Sequence, residues 1–296
     1  MAASLLASES ATAQQAVGHK VLGTAGLQAG SQASPGVSFI DQFVFYSAER
    51  LINPRGSALP VGLRLDAYSE DLGIGGTYEL PGLATYVSGS LGVPMATVSL
   101  NSRRPDASID LFGLGDLYVQ PLLLGWRLPR LDVIVGYAFY APTARHEPGG
   151  TDGVGSAQWT HEASLGGTVR LDRGKTWSLS ALASYQVNQR KLDADVIRGQ
   201  SVQVQGGLGA KVRPYLDVGL AGYGFWQVTL DEGADLPMVL RGLHDTAYGA
   251  GPEIDLTIAA IRGQVSVRYE HDLGVRARPN GQVFVIQLAL AAWTPG

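Results

Sequence analysis

The sequence alternates apolar and polar residues along unusually long segments, most clearly between Trp177 and Asp231. Every second residue from Trp177 to Val187 is apolar, and most residues between them are polar. Because strand side chains point alternately to opposite faces, such a segment has one apolar and one polar face. An ordinary strand has about 5–6 residues, whereas a tilted strand needs about 9–11 to cross a bilayer. The pattern predicts a transmembrane β-barrel with Leu179 and Val204 toward lipid and polar side chains such as Ser180 and Gln203 toward the lumen.

The composition agrees with a membrane barrel and excludes several other classes of protein. Charged residues make up 16% of the chain, with 39 Gly, 12 Tyr and 5 Trp. Soluble domains carry about 25% charged residues, and Tyr and Trp concentrate at membrane interfaces. The net charge of -4 gives no basic surface, so no nucleic-acid partner is expected. The absence of Cys excludes disulfides and thiolate metal sites.

We predict an all-β fold, a transmembrane antiparallel up-and-down barrel of twelve strands. The strands are predicted at 36–49, 60–78, 83–100, 111–126, 131–144, 158–171, 175–189, 200–213, 215–231, 245–261, 262–273 and 281–293. Every second connection is tight and contains Pro, Gly or Asp, as in Leu80-Pro81-Gly82. The intervening connections, such as 101–110, 144–157, 190–198 and 232–244, are longer and more polar. Short periplasmic turns and longer extracellular loops are typical of outer-membrane barrels and place both termini in the periplasm.

The two ends of the chain carry further predictions. Residues 1–13 end in Ala-Thr-Ala, which resembles the cleavage site of a truncated signal peptide, and an ordinary disordered terminus is the alternative. Residues 14–35 are rich in Gly, Ala, Ser and Gln and are predicted to be a flexible segment or a plug, with the barrel at 36–293. The final strand is apolar at every second residue and is followed by Trp293, which predicts contact with the barrel assembly machinery during insertion.

A soluble β-sandwich or a lipocalin-like barrel would alternate in the same way, with the apolar face turned inward. Alternation alone does not distinguish inside from outside. The length of the strands, the low charge and the alternating loop lengths favour the membrane barrel, with outer-membrane lipids as its surroundings.

Two sequence blocks resemble a known family. The first is Gly-Asp-Leu-Tyr-Val-Gln-Pro-Leu-Leu-Leu-Gly-Trp at 115–126, and the second is Gln-Val-Thr-Leu-Asp-Glu-Gly at 227–233. Both resemble the MetA-pathway of phenol degradation family and the SphA-like outer-membrane transporter proteins. Tyr-Ala-Pro-Thr at 140–143 is also similar, although Ala144 stands where the family usually has Gly. The resemblance implies a channel for passive uptake of small hydrophobic or aromatic compounds, and no motif identifies the solute.

The sequence predicts neither a catalytic nor a metal site, and no cofactor. No Gly-x-Ser-x-Gly motif is present, and His19, His146, His161, His244 and His271 form no closely spaced pair. A catalytic triad is assembled in space rather than in sequence. An outer-membrane enzyme that hydrolyses lipids or esters therefore stays open as an alternative, as does a structural or surface-binding barrel.

The candidate transport residues are polar or aromatic side chains on the lumen phase of the strands. Inward charges either neutralise one another or form a constriction that selects permeants. Inward aromatic side chains either form an apolar step for an aromatic solute or fill space. Twelve strands predict a narrow or plugged lumen, because the barrel diameter grows with strand number. The candidates are Asp116, Tyr118, Gln120, Glu162, Arg170, Asp217, Tyr223, Phe225, Gln227, Asp231, Arg268 and Glu270.

Overall fold

The structure is a computed structural model that describes residues 21–104, 106–145, 154–192, 194–238 and 240–295. The signal-peptide prediction for residues 1–13 lies outside the described residues, as do His19, His146 and the first part of the segment 14–35.

The described chain consists almost entirely of strands. They are β1 (Gly36–Ile52), β2 (Ala58–Leu59), β3 (Arg64–Leu80), β4 (Thr85–Arg103), β5 (Asp106–Leu114), β6 (Leu117–Arg127), β7 (Leu131–Ala141), β8 (Thr160–Arg170), β9 (Trp177–Asn188), β10 (Ser201–Arg213), β11 (Leu216–Gln227), β12 (Thr246–Ile258), β13 (Gly263–Arg276) and β14 (Pro279–Trp293). A single turn of 3-10 helix, Ala259–Ile261, separates β12 from β13. No helix in the described part of the chain is long and apolar enough to cross a membrane.

The sheet closes on itself. Each long strand pairs antiparallel with the next long strand along the chain, and β14 pairs back onto β1 from Leu51↔Pro279 to Val37↔Trp293. The strands β2 and β5 lie outside this ring, because β2 pairs with β1 and β5 with β4. The predicted twelve-stranded up-and-down barrel is therefore confirmed.

The two faces of the wall follow the predicted phase. The side chain of Leu179 is 51% exposed on the outside, whereas that of its neighbour Ser180 is 2% exposed on the inside. Val204 and Gln203 show the same contrast on β10. The outer face therefore carries an apolar band suited to lipid, and the inner face is polar over most of β8, β9 and β10.

The predicted fourth strand, 111–126, is wrong as a continuous element. It is interrupted at Gly115 and Asp116, so that β5 ends before them and β6 begins after them. The segment predicted as a loop at 101–110 is largely strand, because β4 and β5 pair from Met95↔Leu114 to Arg103↔Asp106. This hairpin extends the wall beyond the end of β6 on the extracellular side.

A second irregularity changes which residues of β6 face the lumen. The register shifts between Val119 and Leu122, and Gln120 and Pro121 form a bulge there. A bulge places an extra residue in one strand, and Pro is tolerated where the ladder is interrupted. As a result Tyr118 and Leu123 both face the lumen although they are an odd number of residues apart.

Apart from the β4–β5 hairpin, the connections alternate in length except at the last hairpin. The turns after β3, β6, β8, β10 and β12 are short, and those after β1, β7, β9 and β11 are long. The β13–β14 connection, on the long-loop side, contains only Ala277 and Arg278. The extracellular rim is therefore lower at β13 and β14 than elsewhere.

The extracellular half of the interior contains an apolar core. Side chains from β1, β3, β4, β5 and β14 pack there, including Val44, Leu65 and Val283. Val61 and Leu63, from the connection 53–63, fold inward and complete it. The lumen is thus apolar and filled on this side of the barrel.

Candidate functional site: the occupied lumen

Residues 21–35, here named the lumen segment, run through the interior of the barrel before β1 begins. The Ala25 N–H donates to Gln205 Oε1 over 3.0 Å, and the Leu27 N–H donates to Glu253 Oε2 over 3.0 Å. The Gly30 N–H donates to Ser180 Oγ over 2.7 Å. Backbone groups without strand partners are therefore satisfied by inward-facing side chains of the wall.

Leu27 fits a gap in the wall that only glycine can form. Its side chain is 3% exposed and lies over Gly207, Gly209 and Gly219. A Cβ atom added to Gly219 would come within 2.7 Å of Leu27 Cδ2, and one added to Gly207 within 2.8 Å. These glycines therefore allow close approach of the lumen segment as well as curvature of the strands.

Arg268 joins the lumen segment to the wall. Its Nε and Nη2 atoms each donate to Glu253 over 2.9 Å, and its Nη1 donates to the Gly23 carbonyl over 2.6 Å. The side chains of Arg268 and Glu253 are 4% and 2% exposed. Two parallel N–H···O bonds to one carboxylate make this the strongest polar contact type available to Arg.

Two further carboxylates lie above this pair on β13. Asp272 accepts from the hydroxyl of Tyr223, from the hydroxyl of Tyr46 at 3.4 Å and from the Gly281 N–H at 2.7 Å. Glu270 is fully buried, and neither of its carboxylate oxygens has a hydrogen-bond partner. The inner face of β12 and β13 therefore carries more negative than positive charge.

Toward the extracellular end the same side of the lumen becomes apolar. Leu22, Ile52, Tyr223, Ala247 and Val275 form a buried cluster. Phe225 packs against this cluster, and the Arg278 guanidinium lies 5.2 Å from the centre of its ring. Tyr223 and Phe225 thus face inward and pack in an apolar cluster at this end of the lumen.

The lumen segment separates two cavities at the periplasmic end. One has a volume of about 610 Å³ and lies against β12, β13, β14 and the start of β1. The other, of about 430 Å³, lies against β6 to β11 and is lined by Arg127, Asp132, Arg170, Lys211 and Asp217. Solutes entering or leaving at this end would meet charged and polar groups in both cavities.

The predicted residues Arg170 and Asp217 lie in the second cavity in ion pairs. Arg170 Nη2 is 3.0 Å from Asp132 Oδ2, and Lys211 Nζ is 3.1 Å from Asp217 Oδ2. Charge neutralisation therefore accounts for these two candidates, in line with the structural alternative.

Three other candidates form a separate group on β6 and β8. The rings of Tyr118 and Tyr140 are 5.1 Å apart, and Gln120 faces inward next to Gly136. Glu162, 3% exposed, accepts from Gln186 Nε2 over 2.7 Å. Their positions lie across the lumen from Arg268.

The remaining candidates brace the extracellular loops. Asp116 accepts from the Ala144 N–H at 3.1 Å and the Ser156 N–H at 2.7 Å, and so holds the β7–β8 connection. Gln227 Nε2 donates to Asp231 Oδ1 over 2.7 Å, and the Gly199 N–H donates to the same oxygen over 2.7 Å.

Asp245 lies beside this network, directly before β12. Its N–H donates to Gln227 Oε1 over 3.3 Å, and burial raises the pKa of its carboxyl group.

The twelve candidates therefore form several groups rather than one site. Sequence reasoning missed Glu253, and it left open whether residues 14–35 are a flexible segment or a plug, whereas residues 21–35 lie in the lumen and contact Glu253 and Arg268. The glycines at 23, 26 and 30 were a usable signal, because each lies so close to the wall that a Cβ would clash.

The described residues show no assembled catalytic or metal centre. His161 contacts the Tyr137 hydroxyl and Gln189 Nε2, and His244 contacts the Gln227 carbonyl. None of the three His residues in the described ranges forms a hydrogen bond or ion pair with a Ser or carboxylate there. Within the same ranges, no three His, Asp or Glu side chains converge to hold a metal ion.

Comparison with protein families decides the relationship of the chain. Residues 57–288 match the family described as "Putative MetA-pathway of phenol degradation". The chain belongs to this family. A search of curated protein sequences finds no significant match.

Two solved structures illustrate what the chain is similar to. An outer membrane channel from Pseudomonas putida F1 superposes with a TM-score of 0.76 at 13% identity, covering 88% of this chain and 97% of that one. A FadL homologue from Pseudomonas aeruginosa gives a TM-score of 0.41 at 8% identity, covering 86% and 90%. The first similarity confirms the fold of this family member. A closed barrel with an apolar outer band places it in the bacterial outer membrane.

Proposed function

We propose that this barrel is a non-enzymatic channel for passive uptake of small hydrophobic or aromatic compounds. One observation carries the proposal: the extracellular part of the lumen is lined by an apolar cluster that contains Tyr223 and Phe225. An apolar pocket with a few convergent polar groups is the usual form of a binding site for such compounds.

Two further facts support passage rather than catalysis. The Pseudomonas putida protein with the same fold is described as an outer membrane channel. The family description of this chain refers to degradation of phenol, a small aromatic compound. A hydrolase would need a base beside a nucleophile, and the described His residues offer none.

The path includes the lumen segment. A solute passing from the apolar cluster toward the periplasm meets residues 21–35 and the two cavities on either side of them. We infer that the segment acts as a plug and shifts during transport, because it crosses the lumen between the apolar cluster and the periplasm.

Solute uptake into proteoliposomes tests the proposal. The outer leaflet should contain lipopolysaccharide, which slows unassisted entry of apolar solutes. Naphthalene and arabinose serve as the aromatic and the sugar probe, with protein-free vesicles as the baseline. We expect faster uptake of naphthalene and little change for arabinose.

Phe225 provides the matched variants. Its ring contacts the apolar cluster, and it lines the lumen without a side-chain hydrogen bond. Phe225→Asn should lower naphthalene uptake about twofold to tenfold, since an aromatic contact contributes about 0.5–1.5 kcal/mol. Phe225→Leu should retain most of the uptake. Equal uptake of both probes by the wild type would indicate a general pore and overturn the proposal, as would a wild type no faster than empty vesicles.

A further inference from the structure

The barrel wall divides at its extracellular end between β13 and β14. The two strands pair only as far as His271↔Gln282. Beyond this point β13 continues along β12 to Arg276↔Thr246, and β14 continues along β1 to Leu51↔Pro279. A wedge therefore opens in the wall where the connecting loop is only two residues long.

A cavity of about 790 Å³ fills this wedge. Its lining includes Arg50 and Asn280 on one side and Trp226, Tyr248, Leu273 and Arg276 on the other. We name it the headgroup groove. Trp226, Tyr248 and Leu273 are 43%, 53% and 65% exposed, so the groove is open to the outside of the barrel.

The groove lies at the upper boundary of the apolar band. Directly below it on the outer face are Tyr269 on β13 and Phe284 on β14, which pair with each other. The next outward pair, His271 and Gln282, is polar. Aromatic side chains followed by polar ones mark the depth at which lipid headgroups begin.

The charge of the groove is positive. Arg50 Nη2 donates to Asn280 Oδ1 over 2.7 Å, and this contact leaves the charge of Arg50 unpaired. The side chain of Arg276 has no hydrogen bond or ion pair within the described residues. Asp272 is the one carboxylate among the lining residues, and its oxygens are taken by Tyr46, Tyr223 and the Gly281 N–H.

From this arrangement we propose that the headgroup groove binds a phosphorylated lipid of the outer leaflet, the lipid A part of lipopolysaccharide. Its phosphate would lie against Arg50 and Arg276, because guanidinium groups bind phosphate through paired charge-assisted hydrogen bonds. Its acyl chains would run down over Leu273, Tyr269 and Phe284. Both parts of the lipid thus find matching surface at the depth they occupy in the membrane.

Native mass spectrometry of the full-length barrel in detergent tests this inference. The probes are bisphosphorylated lipid A, the same lipid A after removal of both phosphates, and inorganic phosphate. The variants are Arg50→Gln with Arg276→Gln, and the conservative pair Arg50→Lys with Arg276→Lys. Arg64→Gln is the matched control, because Arg64 is exposed at the same end of the barrel and pairs with Asp66 instead.

We expect the wild type to retain bisphosphorylated lipid A and to bind the dephosphorylated form and inorganic phosphate at least tenfold more weakly, roughly the effect of losing charge-assisted hydrogen bonds. The double Gln variant should lose binding to the same extent, and Arg64→Gln should retain it. The double Lys variant should retain part of it, because Lys keeps the charge but not the paired hydrogen-bond geometry of the guanidinium. Each variant is checked for the heat-dependent gel shift of a folded barrel. Unchanged binding in the double Gln variant, an equal loss in Arg64→Gln, or equal binding of dephosphorylated lipid or inorganic phosphate would overturn the proposal. If the double Gln variant does not fold, loss of binding in the folded double Lys variant would also overturn it.

Discussion

Arg268 connects three parts of the molecule through one side chain. Replacing it with Gln would leave the buried Glu253 carboxylate without its cation and release the Gly23 carbonyl. Breaking a buried ion pair from one side costs about 3–5 kcal/mol, because the remaining charge stays buried. We therefore expect Arg268→Gln to lower the free energy of unfolding by about that amount.

Tryptophan fluorescence during guanidinium unfolding in lipid vesicles measures this effect. Glu253→Gln combined with Arg268→Gln is the control, because it removes both charges and should recover part of the loss. If Arg268→Gln unfolds at the same guanidinium concentration as the wild type, the buried Arg268–Glu253 pair does not contribute the expected free energy of unfolding.

Glu270 should behave in the opposite way. Its carboxylate is fully buried and has no hydrogen-bond partner, so it gains nothing from the contacts that stabilise Asp272. A buried charge without a partner costs more than a buried neutral amide. We expect Glu270→Gln to unfold at the same or a higher guanidinium concentration than the wild type, and clear destabilisation would show that the charge has a stabilising role.

Among the elements, the strands show how far the sequence predicts the structure. The predicted bounds of β8 to β12 are close to the observed ones, because alternation and turn residues agree there. The strands β5 and β6 were not separated, because Gly115 and Asp116 break pairing only through tertiary contacts of the Asp116 carboxylate with the β7–β8 connection. The bulge at Gln120 and Pro121 also changes which residues of β6 face the lumen. The sequence does not reveal this change, because the consecutive leucines Leu122–Leu124 show no alternation.

The lumen segment was the least predictable element. Its sequence has no period, and its position depends on side chains far along the chain, such as Gln205 and Glu253. The grouping of the candidate residues depends on the same long-range contacts. Sequence phase could therefore predict which residues face inward, but not which of them meet.

Locking the lumen segment to the wall should block transport. Ser31 Oγ lies 2.8 Å from Thr168 Oγ1, a separation that suits a disulfide between Cys side chains at these positions. The chain has no native Cys, so the intended bond is the one intramolecular disulfide that Ser31→Cys with Thr168→Cys can form, and cross-linked dimers are removed by size before the assay. We expect the oxidised double variant to lose most naphthalene uptake and to regain it after reduction.

The two single Cys variants are the controls for this experiment and should respond neither to oxidant nor to reductant. Full uptake in the oxidised, cross-linked protein would mean that solutes pass without movement of the segment at this point.

At the scale of the whole molecule, the contacts that close the barrel are different from those that hold the lumen segment inside it. The wall is held by continuous antiparallel pairing, including β14 with β1, and none of these backbone bonds involves residues 21–35. The lumen segment is held instead by side chains of the wall and by the glycine gap around Leu27. Removing the segment should therefore open the interior without opening the sheet.

Deletion of residues 21–35 tests this separation in planar bilayers. A barrel of twelve strands lies between the filled eight-stranded and the open barrels of about 16–18 strands, so the emptied lumen should conduct ions. We expect a conductance severalfold above that of the wild type, with the heat-dependent gel shift of a folded barrel retained.

Replacing 21–35 by a Gly-Ser stretch of equal length is the matched control. This variant should conduct almost as well, because it keeps the length of the segment but loses Leu27 and its fit against the wall. A folded deletion variant with unchanged conductance would show that the inward-folded connection with Val61 and Leu63, rather than the lumen segment, limits passage.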